Sequence, residues 1–308
     1  MKEGLLFILG LAFLIAGGEA MVRGAIALSK KLRVSGLVIG IVVVGFGTSV
    51  PELLASLFSV VGKINSPGLA IGNVIGSNIA NIILILGLTA LINPIVFTEK
   101  ARFREIFSLA MSVVLLGLTF FLGYIGRPYG MIMTAAMLSY IIWSVFSPDA
   151  KSEEVPNLTG PWKNFFFSFI VTAVGIAVMI GGAKLMVTNA VAIARDWHVS
   201  ETVIGLTIVA VGTSLPELAA SIISAIHKRS DLAIGNIIGS NIFNALMIPG
   251  VTAIIKPFPV EKNILPDFAV MTAVTVVFIL FMARGKIGRA AGALFFAAYV
   301  AYMIFIWK

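Results

Sequence analysis

The sequence predicts an all-α integral membrane protein whose ten transmembrane helices form two inverted five-helix repeats. Three observations lead there. Of 308 residues, 59% are hydrophobic and only 12% charged, with a mean hydropathy of +1.06, far from the composition of a soluble domain. Apolar segments of about 20 residues, the length that crosses a bilayer, recur along the chain. The chain also repeats itself, half against half.

The segments fall at 4–28, 35–61, 68–92, 103–123, 128–147, 164–190, 200–226, 231–255, 265–283 and 288–307. The first, "LLFILGLAFLIAGGEA", has the shape of a cleaved leader. Its counterpart "GIAVMIGG" (175–182), matched to "GLAFLIAGG" (10–18), predicts a retained helix instead. The second and seventh align as "VSGLVIGIVVVGFGTSVPELLAS" (34–56) and "VSETVIGLTIVAVGTSLPELAAS" (199–221), offset by 165. The third and eighth align as "LAIGNVIGSNIANIILILG" (69–87) and "LAIGNIIGSNIFNALMIPG" (232–250), offset by 163. "GRPYG" (126–130) and "GRAAG" (288–292) mark the fifth and tenth. Residues 1–147 therefore form one repeat and 164–308 the other. The polar stretch 148–163 can connect them but cannot hold a folded domain.

Five spans is an odd number, so the second repeat enters the membrane opposite to the first. Lys2, Lys63, Arg127, Arg195, Lys256, Lys262 and Lys308 then share one side; Lys30, Lys31, Arg33, Lys100, Arg102, Arg104, Lys151, Lys163, Lys228, Arg229, Arg284, Lys286 and Arg289 share the other. The positive-inside rule makes the second group cytoplasmic, with both termini outside, in a multi-pass cell-membrane protein. The net charge of +8 is spread over these short gaps, which argues against a nucleic-acid partner, and no protein partner is evident. With no cysteine and only His198 and His227, thiolate and histidine metal clusters are excluded. Any metal chemistry must use oxygen.

"GTSVPELLAS" (47–56) and "GTSLPELAAS" (212–221) put a carboxylate inside two apolar spans. A charge at mid-bilayer costs about 3 kcal/mol or more, so an intramembrane carboxylate marks function by default. A lone glutamate could be a structural pair; two in matched positions argue for a site. On a helix Thr48, Ser49 and Glu52 face one way, as do Thr213, Ser214 and Glu217. Pro51 and Pro216 cannot donate to the carbonyls of Gly47 and Gly212, which loosens the turn beside each carboxylate. On the following spans Asn73, Ser77 and Asn81, and Asn236, Ser240 and Asn244, fall at i, i+4 and i+8. Ser77, Asn81, Ser240 and Asn244 read as ligands, whereas Gly72, Gly76, Gly235 and Gly239 read as a close-packing stripe. Hydroxyls, amides and carboxylates make a site for hard cations. Glu19 and Arg23, four apart, read as a structural pair, and Lys184 as an unmatched snorkelling cation.

In tandem, "GTS(V/L)PE" followed by "GN(V/I)IGSN" resembles the repeat motifs of the cation/calcium antiporter superfamily, most closely the prokaryotic Na+/Ca2+ exchangers, over essentially the whole chain. The resemblance implies ten helices and cation sites between the second, third, seventh and eighth. It implies a Ca2+ site of Glu52, Glu217, Thr48 and Thr213. It implies Na+ sites that add Ser49, Ser77, Asn81, Ser214 and Ser240, with backbone carbonyls near Gly45 and Ala210. Asn244 stands where the well-known exchangers carry aspartate.

The expected activity is secondary antiport of Ca2+ against Na+ by alternating access, with the two ions as cargo and no resident cofactor. Two carboxylates match one Ca2+ or about two to three Na+. The alternative is an H+/Ca2+ antiporter using the same glutamates as proton carriers. A channel would want oxygen-lined constrictions, but inverted repeats with broken helices favour a carrier. No nucleophile–base pair or zinc motif appears, so an enzyme is not expected.

Overall fold

A computed structural model of the protein describes residues 2–62, 66–97, 99–147, 158–198 and 210–306. The chain runs α1 (Lys2–Leu32), α2 (Gly36–Thr48), α3 (Val50–Val61), α4 (Pro67–Ile92), α5 (Glu99–Leu122), α6 (Arg127–Phe146), α7 (Phe165–Asp196), α8 (Ala210–Thr213), α9 (Leu215–Ile226), α10 (Ser230–Ile255), α11 (Leu265–Ala283) and α12 (Arg289–Ile306). Among the described residues seven helices are long and apolar enough to cross a membrane, and the bent pair α2–α3 makes an eighth. Leu215–Ile226 and Arg289–Ile304 are shorter apolar helices. The first ten residues of the predicted span 200–226 lie outside the described residues, as does most of the 148–163 connection.

The second predicted span is broken. Pro51 follows Ser49 by two residues, and Ser49 leaves helical geometry at φ −87°, ψ 6°, where the axis bends by 42°. Ser214, two before Pro216, repeats the break at φ −88°, ψ 7°. A proline can open a helix but cannot continue its hydrogen-bond ladder, so each "TS(V/L)PE" motif is a hinge between two half-helices. Ahead of the first break, Gly40–Gly45 widens into π-helical turns, and Ala80–Ile85 does the same inside α4. Such turns displace carbonyls from the regular ladder.

Helices α4 and α10 are the interior. In their most apolar stretches 78% and 83% of residues are buried, against 17–44% in the other long helices. Ile75, Ile79, Ile82 and Phe243 anchor the larger core there. A second core joins α1, α7 and α9 through Leu14, Met21, Met179 and Ile223.

Contacts between the halves occur in pairs that the sequence repeat exchanges. On α1 and α7, which run antiparallel, a Cβ on Gly17 would lie 2.7 Å from the Gly175 carbonyl, and one on Gly10 2.8 Å from that of Gly182. The offset of 165 turns one contact into the other. Gly87 meets Gly292 as Gly130 meets Gly250. Strand β1 (Ile95–Val96) pairs with β4 (Lys286–Ile287), as β2 (Tyr124–Ile125) pairs with β3 (Phe258–Pro259). Arg289 Nε donates to the Leu91 carbonyl and Arg127 Nε to that of Ile254, both at 3.1 Å.

This register corrects one expectation. At offset 165 Lys184 is not unmatched: its counterpart is Glu19, of opposite sign. Glu19 does bind Arg23, at 2.6 Å, and it also receives His227 Nε2 at 2.8 Å. The sequence spacing gave no hint of that third partner, which lies 208 residues away.

Candidate cation-binding site

The two proline hinges face each other across α4 and α10. Glu52 and Glu217 open α3 and α9, in the first turn of each half-helix, where free N–H groups favour negative charge. They are 0% and 2% exposed and close enough for their charges to interact. Two desolvated carboxylates repel unless a cation or proton joins them.

The donors around them do not satisfy their oxygens. Ser49 Oγ donates to Glu217 Oε1 at 2.9 Å, across from one half to the other. Glu217 Oε2 and both carboxylate oxygens of Glu52 have no hydrogen-bond partner among the described residues. The same holds for Ser214 Oγ and for the side-chain oxygens of Asn81 and Asn244, all buried. Unpaired buried oxygen costs a few kcal/mol per group unless something answers it. Buried carboxylate, hydroxyl and amide oxygens of this kind are suited to a hard cation. The amide nitrogens of Asn81 and Asn244 are equally unpaired, and a cation does not answer those.

The backbone is held by matched amides. Asn73 Nδ2 donates to the Glu52 carbonyl at 3.1 Å and to Ser56 Oγ at 2.9 Å. Asn236 Nδ2 donates to the Glu217 carbonyl at 3.2 Å and to Ser221 Oγ at 2.9 Å. Each clamps a half-helix to its neighbour just behind the carboxylate. Thr48 Oγ1 stands 3.2 Å from Asn236 Oδ1 and 3.4 Å from the Gly45 carbonyl, which Ser240 Oγ also approaches at 3.4 Å. Gly45 packs closely here: a Cβ would stand 3.1 Å from Ser240 N and 3.2 Å from the Asn236 carbonyl, tighter than most Cβ contacts. Gly235 and Gly239 abut α2 backbone at Leu37 to Ile41, the packing role expected of them, whereas a Cβ on Gly72 or Gly76 would meet nothing within 4 Å among the described residues.

Of the residues singled out in the sequence, direct contacts link Ser49 to Glu217, and Thr48 and Ser240 to the Gly45 carbonyl, while Glu52 is buried with both oxygens unpartnered among the described residues. Ser77, Asn81, Asn244 and Ser214 lie buried on the same elements. Thr213 closes α8, which Ala210 opens. One detail differs. Ser49 reaches the opposite glutamate, Glu217, and Thr48 Oγ1 lies by Asn236 Oδ1 on α10; neither donates to Glu52 of its own motif. Asn78, which the sequence reading passed over, ties α4 to α10 by donating to the Asn241 carbonyl at 3.2 Å.

The surroundings of the site are not symmetric. Ile223 on α9 is 8% exposed and would touch a Cβ on Gly18, whereas its repeat counterpart Phe58 is 64% exposed. A cavity of about 400 Å³ runs between α3, α7, α8 and α9, lined by Pro51, Leu54, Lys184, Thr188, Thr213 and Pro216 among others.

A polytopic membrane protein with broken half-helices meeting at a buried oxygen cluster belongs to the class of ion carriers. The particular family follows from comparison: the family described as "Sodium/calcium exchanger protein" matches residues 2–146 and 167–308, and the chain belongs to it. Sodium/calcium exchanger MaX1 of Methanosarcina acetivorans is 30% identical, covering 97% of each chain. Inner membrane protein YrbG of Escherichia coli is 30% identical over 98% of this chain and 96% of its own length. Among solved structures, the sodium-calcium exchanger NCX_Mj, soaked with 2.5 mM Na+ and 0.1 mM Ca2+, superposes with a TM-score of 0.86 at 31% identity over 99% of this chain and 98% of that one.

Proposed function

We propose that this protein exchanges Ca2+ for Na+ by alternating access, with Glu52 and Glu217 as the shared charged ligands. One observation carries the reading. Two buried carboxylates from matched repeat positions meet among neutral oxygens, and most of their oxygens find no donor among the described residues. Thr48, Thr213 and the carboxylates would hold Ca2+; Ser49, Ser77, Asn81, Ser214, Ser240, Asn244 and the carbonyls of Gly45 and Ala210 would complete Na+ shells. The ions are cargo, and no resident cofactor enters.

The count of ten spans, with α8–α9 completing the seventh and α12 the tenth, is supported by the way the paired contacts fall. The two strand pairs and the Arg127 and Arg289 bonds join helix ends which ten alternating spans would bring to one side. The unequal exposure of the repeat counterparts Ile223 and Phe58 and the cavity beside Pro51 and Thr213 support a carrier that opens to one side at a time. Without cargo the carboxylate pair carries −2 in a dry site and resists moving through the closed state, which enforces exchange over leak.

The test is 45Ca2+ uptake into proteoliposomes under imposed outward Na+, K+ or H+ gradients. Stimulation by Na+ alone supports the reading. Stimulation by H+ and not Na+ would transfer the same glutamates to an H+/Ca2+ antiporter.

A further inference from the structure

We infer that Lys184 is a specificity-determining residue, which disfavours Ca2+ relative to Na+ on one face of the exchanger only; the inference rests on the Na+/Ca2+ reading above. Lys184 is the charged residue lining the cavity that reaches Thr213 and Pro51 at the site. It lies about 5 Å past the midpoint of the 32-residue α7, taking 1.5 Å per residue. At that depth an ammonium in hydrocarbon is costly, and among the described residues no carboxylate pairs with it. The cavity, with Thr188 and Thr213 as its hydroxyls, is the space that can solvate it. A cation travelling to Thr213 by this route passes a fixed positive charge.

The effect of such a charge depends on valence. If it raises the local potential enough to halve the Na+ concentration, it lowers Ca2+ by the square of that factor, about fourfold. Lys184 thus shifts the Na+-to-Ca2+ ratio toward Na+ where the cavity opens. The opposite face lacks this bias. Its repeat-equivalent position is Glu19, held by Arg23 and His227, a set with no net positive charge when the histidine is neutral. By the helix polarity proposed above, Lys184 lies on the outer half of the membrane and Glu19 on the inner half. The outer path is then built to admit Na+ and let Ca2+ go.

The test is side-resolved kinetics in vesicles of defined orientation, comparing wild type with Lys184→Gln, Lys184→Glu and Lys184→Arg. Lys184→Gln should lower the Ca2+ KM on the cavity face about fourfold and the Na+ half-saturation about twofold. Lys184→Glu should double both shifts on a logarithmic scale, and Lys184→Arg should match wild type. The shifts should shrink at high ionic strength, while KM on the opposite face stays constant and reports intact folding. Equal shifts for both ions, equal shifts on both faces, or no shift with Lys184→Glu would overturn the inference while leaving exchange itself intact. A wild type that shows no Na+-driven Ca2+ flux would instead remove the reading beneath it.

Discussion

At the scale of single residues the site is a problem of unequal satisfaction. Glu217 has Ser49 as a donor, whereas neither oxygen of Glu52 has one among the described residues. Both carboxylates are needed to neutralise a divalent ion, so Glu52→Gln and Glu217→Gln should each reduce Ca2+ exchange more than about 100-fold, beyond the loss typical of altering a ligand's supporting shell. Wild type should gain thermal stability from Ca2+ in proportion to the logarithm of its concentration, and Glu52→Gln should not; a Ca2+ titration of the melting temperature reads both. On the proposed reading Thr48→Ala or Thr213→Ala would remove one neutral ligand among several and should weaken transport without abolishing it. With an amide at Asn244 the proposed site would carry −2, which Ca2+ alone would balance. We therefore expect no K+ requirement, with Asn244→Asp altering Na+ or K+ dependence more than Ca2+ binding, as uptake under each gradient would reveal. The glutamates, threonines and serines were legible in the sequence because a carboxylate in an apolar span has to be explained. The Ser49–Glu217 contact was not, because helical periodicity relates residues within one span and says nothing of what faces it across 168 positions.

At the scale of elements, the prolines declared the hinges and the matched motifs declared their equivalence, but register between helices needed the third dimension. The echo between 10–18 and 175–182 placed the first and sixth spans in correspondence; only the Gly10–Gly182 and Gly17–Gly175 contacts fixed the offset that makes Glu19 the counterpart of Lys184. Those glycines let two backbones meet along α1 and α7, where a side chain has no room: a Cβ on Gly17 would stand 2.5 Å from Met179 N, and one on Gly175 would stand 2.5 Å from Met21 N. Gly17→Leu and Gly175→Leu should each cost about 1–3 kcal/mol, the usual cost of overpacking, and lower the melting temperature of detergent-solubilised protein by similar amounts. A large loss from one and none from the other would mean that the two helices do not share a single symmetric seam.

At the scale of the whole molecule, the question is which way the two repeats sit in the membrane. Contacts in the structure sort the helix ends into two groups without reference to a bilayer. Strand pair β1–β4, the Arg102 donation to the Ala283 carbonyl and the Asn93–Ser230 bond gather one set of ends. Strand pair β2–β3, the Arg127 donation to Ile254 and the Lys256 donation to the Val60 carbonyl gather the other. The first set carries Arg102, Arg229, Arg284, Lys286 and Arg289, while the second carries Arg127, Lys256 and Lys262. Basic residues are retained on the cytoplasmic side during insertion, so the richer end should be inside. Ten spans would bring the two termini to the poorer end, outside. A cysteine introduced at Lys2 or Lys308 should then react with an impermeant thiol reagent added to intact cells, and one at Ser152 should react only after permeabilisation. The chain has no native cysteine, so each label reports its own site without background. Labelling of Ser152→Cys in intact cells, with protected termini, would invert the orientation and would move Lys184 to the cytoplasmic path. Labelling of one terminus but not the other would instead mean an odd number of spans and would break the correspondence between the repeats and the two faces.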